Sequence, residues 1–436
     1  MAQYIDFTTF EGSFKTIFED GLVRVVPAFT DCQQTIKFND KRRQGEEIRV
    51  SLALQLEAGM TWAQQDGSAF DLELPIAGVT KFAKVKGSCG CLRSAVAYVA
   101  AFAGEDPAQA VENTTGSTVK NAYEAMRKFL EADILYGQDD EGIGVVLDIE
   151  GQPQDPSGTI ATDSVQITLA SWAPGLWVEG AKVEFYSPDH TDLRNDTFAT
   201  IESVDLDTRV VTFDDLPAAV AAGDVIHYKT QFSEEGGDHN TMAGLKKILS
   251  TTSGTLFNID VGVYNKWRGN VYDVNNGPLT FPKLGRAMAR IAAKGGQGNR
   301  FIAWLPLDSW VDINSDIDAL RTDDTSGYKP GMVEVGHERI TYHSVAGPVE
   351  LRAHAMVKAS EAFVIPEKGF ERLGSTDITF DRSKMTGLTK SGPGNFLLEL
   401  SNNAGFEFRG FHHQAIFTER PGFCVFFKNI LQNTVA

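Results

Sequence analysis

Apolar residues recur along this chain with two different periods. Within 117–136 the positions Val119, Ala122, Tyr123, Met126, Phe129, Leu130 and Ile134 step by threes and fours, which gathers them on one face of an α-helix. Ser117 stands where a hydroxyl can cap the first turn, and Gly137 where a left-handed residue can end the last. At 1.5 Å per residue the helix would run ~30 Å, a beam on which separate sheet regions can hang. Ahead of it the period is two. In 47–56, Ile48, Val50, Leu52, Leu54 and Leu56 alternate with polar or small residues, and Phe70, Leu72, Leu74 and Ile76 alternate likewise. Both runs read as strands with one apolar face, joined by a tip, 57–69, that holds Gly59, Trp62 and Gly67. A lone hairpin is marginal in water. No adjacent segment offers a lid, so the pattern asks for a partner chain.

The remaining pattern is mixed. Phe7, Phe10, Phe14 and Phe18 allow a short amphipathic helix within 1–44, resting either on its own domain or on a neighbour. Residues 81–103 read as a basic, then apolar, strand region. A Pro/Gly-rich linker at 151–158 precedes short strand-like runs at 165–169, 182–186, 198–204, 209–213 and 225–228, with a turn at 205–208. That spacing predicts a small all-β module over 159–232. From 241 the pattern is α+β. Thr280, Pro282 and Gly295-Gly296 bracket a helix over 281–294; 301–305 is a buried strand and 309–321 a second helix. Strands follow in 333–357, at 396–400 and at 415–427.

Composition narrows the function. A chain of 436 residues suggests about three domains, and 42% hydrophobic residues exclude general disorder. The net charge of -18 argues against tight nucleic-acid binding, which needs clustered cations, but not against enclosing nucleic acid loosely. Cys32, Cys89, Cys91 and Cys424 form neither a disulfide framework nor a zinc ligand set. The N-terminal MAQYIDFTTF lacks the features of a signal peptide, and no run of 18 apolar residues occurs. The expectation is therefore a soluble protein made in a cytoplasm, without membrane contact.

Motifs for chemistry fail on inspection. His337-Glu338 begins a zinc-protease motif, but the second ligand position is Thr341. Asp312, Asn314 and Asp316 start like a calcium loop, yet Ile317 replaces the required glycine and Asp323 the terminal glutamate. Gly295, Gly296 and Gly298 follow a helix rather than open one, His412-His413 has no neighbouring ligand, and no nucleophile elbow is present. The reading assigns no catalytic residue, cofactor or metal, and the chain is not expected to be an enzyme.

The order of parts resembles the major capsid proteins of tailed bacteriophages, with a Hong Kong 97-type α+β fold. The resemblance is carried by an arm, a long hairpin, LRSAVAYVAAF, then VKNAYEAMRKFLEADILYGQ. WAPGLW at 172–177, VYNKWRGNV at 263–271, KGG at 294–296 and the stretch 362–380 add to it. It implies an N-terminal arm (1–44), an extended loop (45–80) and a peripheral domain (81–158 and 366–436) containing a spine helix (117–136). An inserted β domain (159–232) and an axial domain (241–365) complete the layout. It implies an icosahedral shell of hexamers and pentamers around DNA contacted weakly, with scaffolding, portal and cement proteins as partners. The shell would be part of the virion, assembled in a bacterial cytoplasm. Inter-subunit contact falls to Ile48, Val50, Leu52, Leu54, Leu56, Trp62, Phe70, Leu72 and Leu74 of the loop and to Phe10 and Phe14 of the arm. An encapsulin-like compartment around cargo enzymes is the alternative. Some relatives cross-link a loop lysine to a neighbour's asparagine. The tip 57–69 has no lysine, so a shell without isopeptide bonds is expected.

Overall fold

The computed structural model describes residues 30–39, 47–65, 69–97, 114–148, 163–194, 197–232, 239–320, 340–380, 398–400 and 404–432. Phe10 and Phe14, with the rest of 1–29, lie outside these residues, as do His337 and Glu338. The chain forms two compact units. The described part of the smaller comes from 91–127 and 378–411; the larger takes its residues from 29–90, 128–377 and 412–436.

In the smaller unit, residues 91–97 of β4 (Ser88–Ala97) and β19 (Leu398–Glu399) pair with residues 405–411 of β20 (Gly405–Thr418). The first turns of the long helix, Thr114–Tyr136, cover this unit's core. Ala122 closes with Val96 and Phe408, and Val119, Leu92, Phe380 and Phe406 pack at the margin. Tyr123, placed on the buried face by its spacing, is 41% exposed. Its ring stands beside Phe380, centroids 6.4 Å apart, so it borders the core.

In the larger unit the same helix buries Leu130, Ile134 and Leu135 completely. It starts at Thr114, before the anticipated Ser117. Its end differs from expectation in mechanism. The left-handed residue is Gln138, φ 57°, one place after Gly137. Gly137 is required by crowding instead, since a Cβ there would run into the carbonyl oxygens of Met242 and Asp133.

Six strands close a barrel. They are β5 (Gly144–Asp148), β6 (Ser164–Ile167), β7 (Lys182–Tyr186), β8 (Ala199–Asp205), β9 (Val210–Phe213) and β10 (Val225–Tyr228), in the order β10-β5-β6-β9-β8-β7. Its interior is apolar, with Phe185 and Phe213 edge to face at 5.3 Å. The barrel draws β5 from before residue 159. Without that strand β6 and β10 would present open edges. The Asp205 carboxylate accepts the N–H groups of Asp207 and Thr208, which forms the turn anticipated at 205–208.

A second sheet has the order β13 (Asn270–Gly277), β21 (Val425–Ile430), β17 (Ala362–Pro366), β14 (Phe301–Leu305), β16 (Pro348–Ala353), β15 (Ile340–His343). Leu284, Ala287, Met288 and Ile291 of the helix Phe281–Ala293 pack on it, as does Ile313 of the helix Leu307–Leu320. The sequence grouping put 366–436 with 81–158, whereas β21 lies inside this sheet, between β13 and β17. Val425, Phe426 and Phe427 are all buried, and a strand buried on both faces needs a ladder on each side.

Candidate assembly interface

The hairpin is built from β2 (Ile48–Gln55) and β3 (Val79–Val85), antiparallel from Ile48↔Val85 to Gln55↔Val79. This corrects the expected pairing of 47–56 with 70–76. Pro75 has no N–H to give a ladder, whereas Val79 and Val85 favour extended backbone and Ala83 and Val85 bury their side chains. Along β2, Ile48, Val50, Leu52 and Leu54 are half-buried and alternate with exposed Arg49, Ser51, Ala53 and Gln55.

Beyond the ladder, the described parts of 56–78 run out as a distal loop tied by the bridge Ala58↔Ile76 and by the Glu73 N–H, which donates to Thr61 Oγ1 at 2.9 Å. Gly59, φ 126°, lets the two arms meet there, where a Cβ would lie 3.0 Å from the Leu74 oxygen. Leu56 (81%), Trp62 (82%), Phe70 (56%), Leu72 (79%) and Leu74 (84%) are exposed. The apolar row is thus partly covered at the base and bare at the tip. Covering each leucine would contribute roughly 1.5–3 kcal/mol, and a loop that bares this many large apolar side chains marks an interaction surface.

The base is held firmly. The Lys84 N–H donates to the Phe257 carbonyl at 3.0 Å. Phe257 and Asn258, φ 50° and 66°, form the two-residue turn between β11 (Thr255–Leu256) and β12 (Ile259–Asp260). The Lys81 ammonium stands 5.1 Å over the Tyr264 ring.

Polar groups buried in the larger unit join distant segments. Glu131 on the long helix accepts the N–H groups of Cys32 (2.6 Å) and Gln33 (3.1 Å) at the start of α1 (Asp31–Thr35). His354 Nδ1 accepts the Met356 N–H, which places the ring hydrogen on Nε2, 3.1 Å from Glu131 Oε1. Among the described residues, Cys32, Glu131 and His354 are the one group with three ligand-type atoms near enough to share a metal. Their hydrogen bonds already engage the nitrogen and carboxylate atoms. Burial, then Glu131, pushes the Cys32 thiol well up, away from the thiolate a metal needs. The group reads as a clasp.

A second knot lies at the end of the long helix. Fully buried Lys358 meets Asp139 (3.0 Å) and donates to the Gly142 carbonyl. Lys246 meets Asp139 (3.0 Å), Glu141 (2.5 Å) and Glu361 (2.7 Å). Burial alone would raise the Asp139 carboxyl, but Lys358 and Lys246 outweigh it and hold it at about 2. At the barrel, His190 Nε2 and His227 Nε2 are 3.1 Å apart. Burial, then the neighbouring His190 and His239, pushes His227 down to about 3. Neither knot was visible in the sequence: the clasp alone joins positions 99 and 223 residues apart. No helix among the described residues is long and apolar enough to cross a membrane.

No family model matches the chain, and no curated protein matches it in sequence. Solved structures do. A chain of the Cyanophage A-1(L) capsid asymmetric unit aligns with TM-score 0.55 and 10% identity, over 98% of this chain and 100% of that one. A Mycobacterium phage Bobi chain gives 0.47 and 9% over 98% and 99%. The holo-SrpI encapsulin of Synechococcus elongatus PCC 7942 gives 0.46 and 8% over 100% and 99%; scores this low carry no argument. The first likeness extends over nearly the whole of both chains, and at such low identity what it establishes is architecture: this chain has the fold of a phage capsid protein.

Proposed function

We propose that this chain is a major capsid protein, copies of which form hexamers and pentamers and close into an icosahedral shell around tailed-phage double-stranded DNA. The carrying observation is the bare apolar row of the hairpin tip, on a chain with a capsid-protein fold. In the Hong Kong 97-type layout the hairpin is the extended loop laid on the next subunit, and Thr114–Tyr136 is the spine helix of the peripheral domain. The barrel is the inserted domain, entered through β5. The β14-centred sheet is the axial domain, to which β21 returns. Each hairpin contact is modest, but a closed shell repeats it in every subunit. The charge of -18 suits a wall that holds DNA without gripping it. Scaffolding, portal and cement proteins are the expected partners, and the virion the expected location, after assembly in a bacterial cytoplasm.

The test is electron microscopy of purified protein, with and without a scaffolding protein. Closed particles without protein cargo are expected. Particles filled with protein cargo would favour an encapsulin-like compartment, and monomers under every assembly condition would refute both.

A further inference from the structure

The hairpin carries its charge unevenly. Residues 55–79 hold Glu57, Asp66, Asp71 and Glu73 and neither lysine nor arginine. The base, 47–54 with 80–86, holds Arg49, Lys81, Lys84 and Lys86 against Glu47 alone. In a chain of net charge -18 this basic base runs against the overall balance. It also sets like charges face to face, Arg49 opposite Lys84 across the ladder, a pairing that costs stability unless an anion offsets it. Glu47 offsets part of it, 2.6 Å from Arg49. Lys84, Lys86 and Lys247 border a cleft of about 460 Å³, together with Glu47, Gln138 and the β11–β12 turn.

We infer that this cleft receives the acidic distal loop of a second copy's hairpin, an inference that rests on the capsid reading above. Asp71 and Glu73 are exposed and two residues apart. Lys84 in β3 and Lys86, one residue past its end, repeat that step, and both are exposed while Ala83 and Val85 are buried. Two carboxylates of one copy therefore meet two cations of the next at matched spacing, about 7 Å for two residues of extended chain. A hairpin cannot bring its own tip to its own base. The ladder from Ile48↔Val85 to Gln55↔Val79 keeps them ~25 Å apart at the usual rise per residue. A contact between two different patches on identical chains is head-to-tail, and it closes into a ring when the rotation closes.

The test uses assembled wild-type particles made from a mixture of ¹⁴N- and ¹⁵N-labelled chains. A carbodiimide joins touching carboxylates and amines as amides, with loss of water and no spacer. Isotopically mixed peptides linking Asp71 or Glu73 to Lys84, Lys86 or Lys247 are expected. Links from these lysines to other acids alone would overturn the inference and leave the capsid reading standing, whereas absence of particles would remove both. In parallel, D71K/E73K and K84E/K86E should each raise the concentration for half-assembly about tenfold or more. The four-substitution chain should return to within about threefold of wild type. All four side chains are exposed, so monomer melting should not fall appreciably, and K84E also relieves the Arg49–Lys84 repulsion. A four-substitution chain no better than either pair would overturn the inference.

Discussion

Replacing Leu72 and Leu74 with serine should separate assembly from folding. The two side chains are 79% and 84% exposed, so about four-fifths of each remains to be covered by a partner. Full burial of a leucine contributes roughly 1.5–3 kcal/mol, which leaves about 1.2–2.4 kcal/mol per side chain and about 2.5–5 kcal/mol for the pair. At about 1.4 kcal/mol per decade, each hairpin contact should weaken from under a hundredfold to a few thousandfold. The monomer should keep its stability within about 0.5 kcal/mol, as exposed surface substitutions do. Light scattering against concentration reads the first quantity, and a thermal melt of dilute monomer the second. A double variant that assembles normally would refute the reasoning. So would one whose monomer melts early, because the leucines would then be packed within their own chain.

Other residues make separate predictions. Gly137→Ala forces a Cβ against the Met242 and Asp133 carbonyls and should cost about 2 kcal/mol or more, read as a lower melting temperature. Glu131→Gln keeps the shape of the clasp but weakens its charge-assisted bonds to the Cys32 and Gln33 N–H groups; about 1–3 kcal/mol should be lost in denaturant melts. His227 is held at about 3 in the folded chain against an ordinary 6.5, so below pH 6.5 the unfolded chain binds the extra proton. Stability should be intact above pH 6.5 and fall toward pH 3, by up to about 5 kcal/mol, and His227→Gln should flatten that slope in melts between pH 7 and 4. Assembled particles boiled in denaturant should run as single chains, since the tip 57–69 has no lysine; a ladder of covalent oligomers would refute that.

What could be read from sequence was local and periodic. The long helix and the helix Phe281–Ala293 were visible because their apolar spacing answers to one buried face each, and the strand Phe301–Leu305 because it is a continuous apolar run buried on both faces. The hairpin was visible as a ribbon lacking a home, but its descending strand was misplaced. Phe70, Leu72 and Leu74 alternate as a strand does, and alternation alone does not reveal that Pro75 and the bridge at Ala58 leave them outside the ladder. The barrel was recognised one strand short, since β5 is separated from β6 by the linker. Pairing across a gap leaves no periodic trace. The clasp and the Lys246–Lys358 knot were invisible for the same reason: each polar side chain finds its partners only after the fold has brought distant segments together.

The two kinds of contact divide the work of the molecule. Asp139, Lys246 and Lys358 are buried and paired with one another, and buried Glu131 is held by Cys32, Gln33 and His354. Removing one partner strands a charge inside the larger unit, and such a loss is felt by folding itself. The hairpin tip is the reverse case. Its apolar groups make little contact within the chain, so substituting them removes nothing the monomer uses. The hydrogen bond from Lys84 to Phe257 matters here, because a fixed base makes the tip's direction a property of the fold. A partner then meets a ribbon already aimed, and less of the burial free energy goes to ordering it. Core variants should therefore lose folding and assembly together, and tip variants assembly alone. Lys84→Pro, which deletes that backbone N–H, should fall between them, with some monomer stability lost and assembly weakened although every tip side chain is intact.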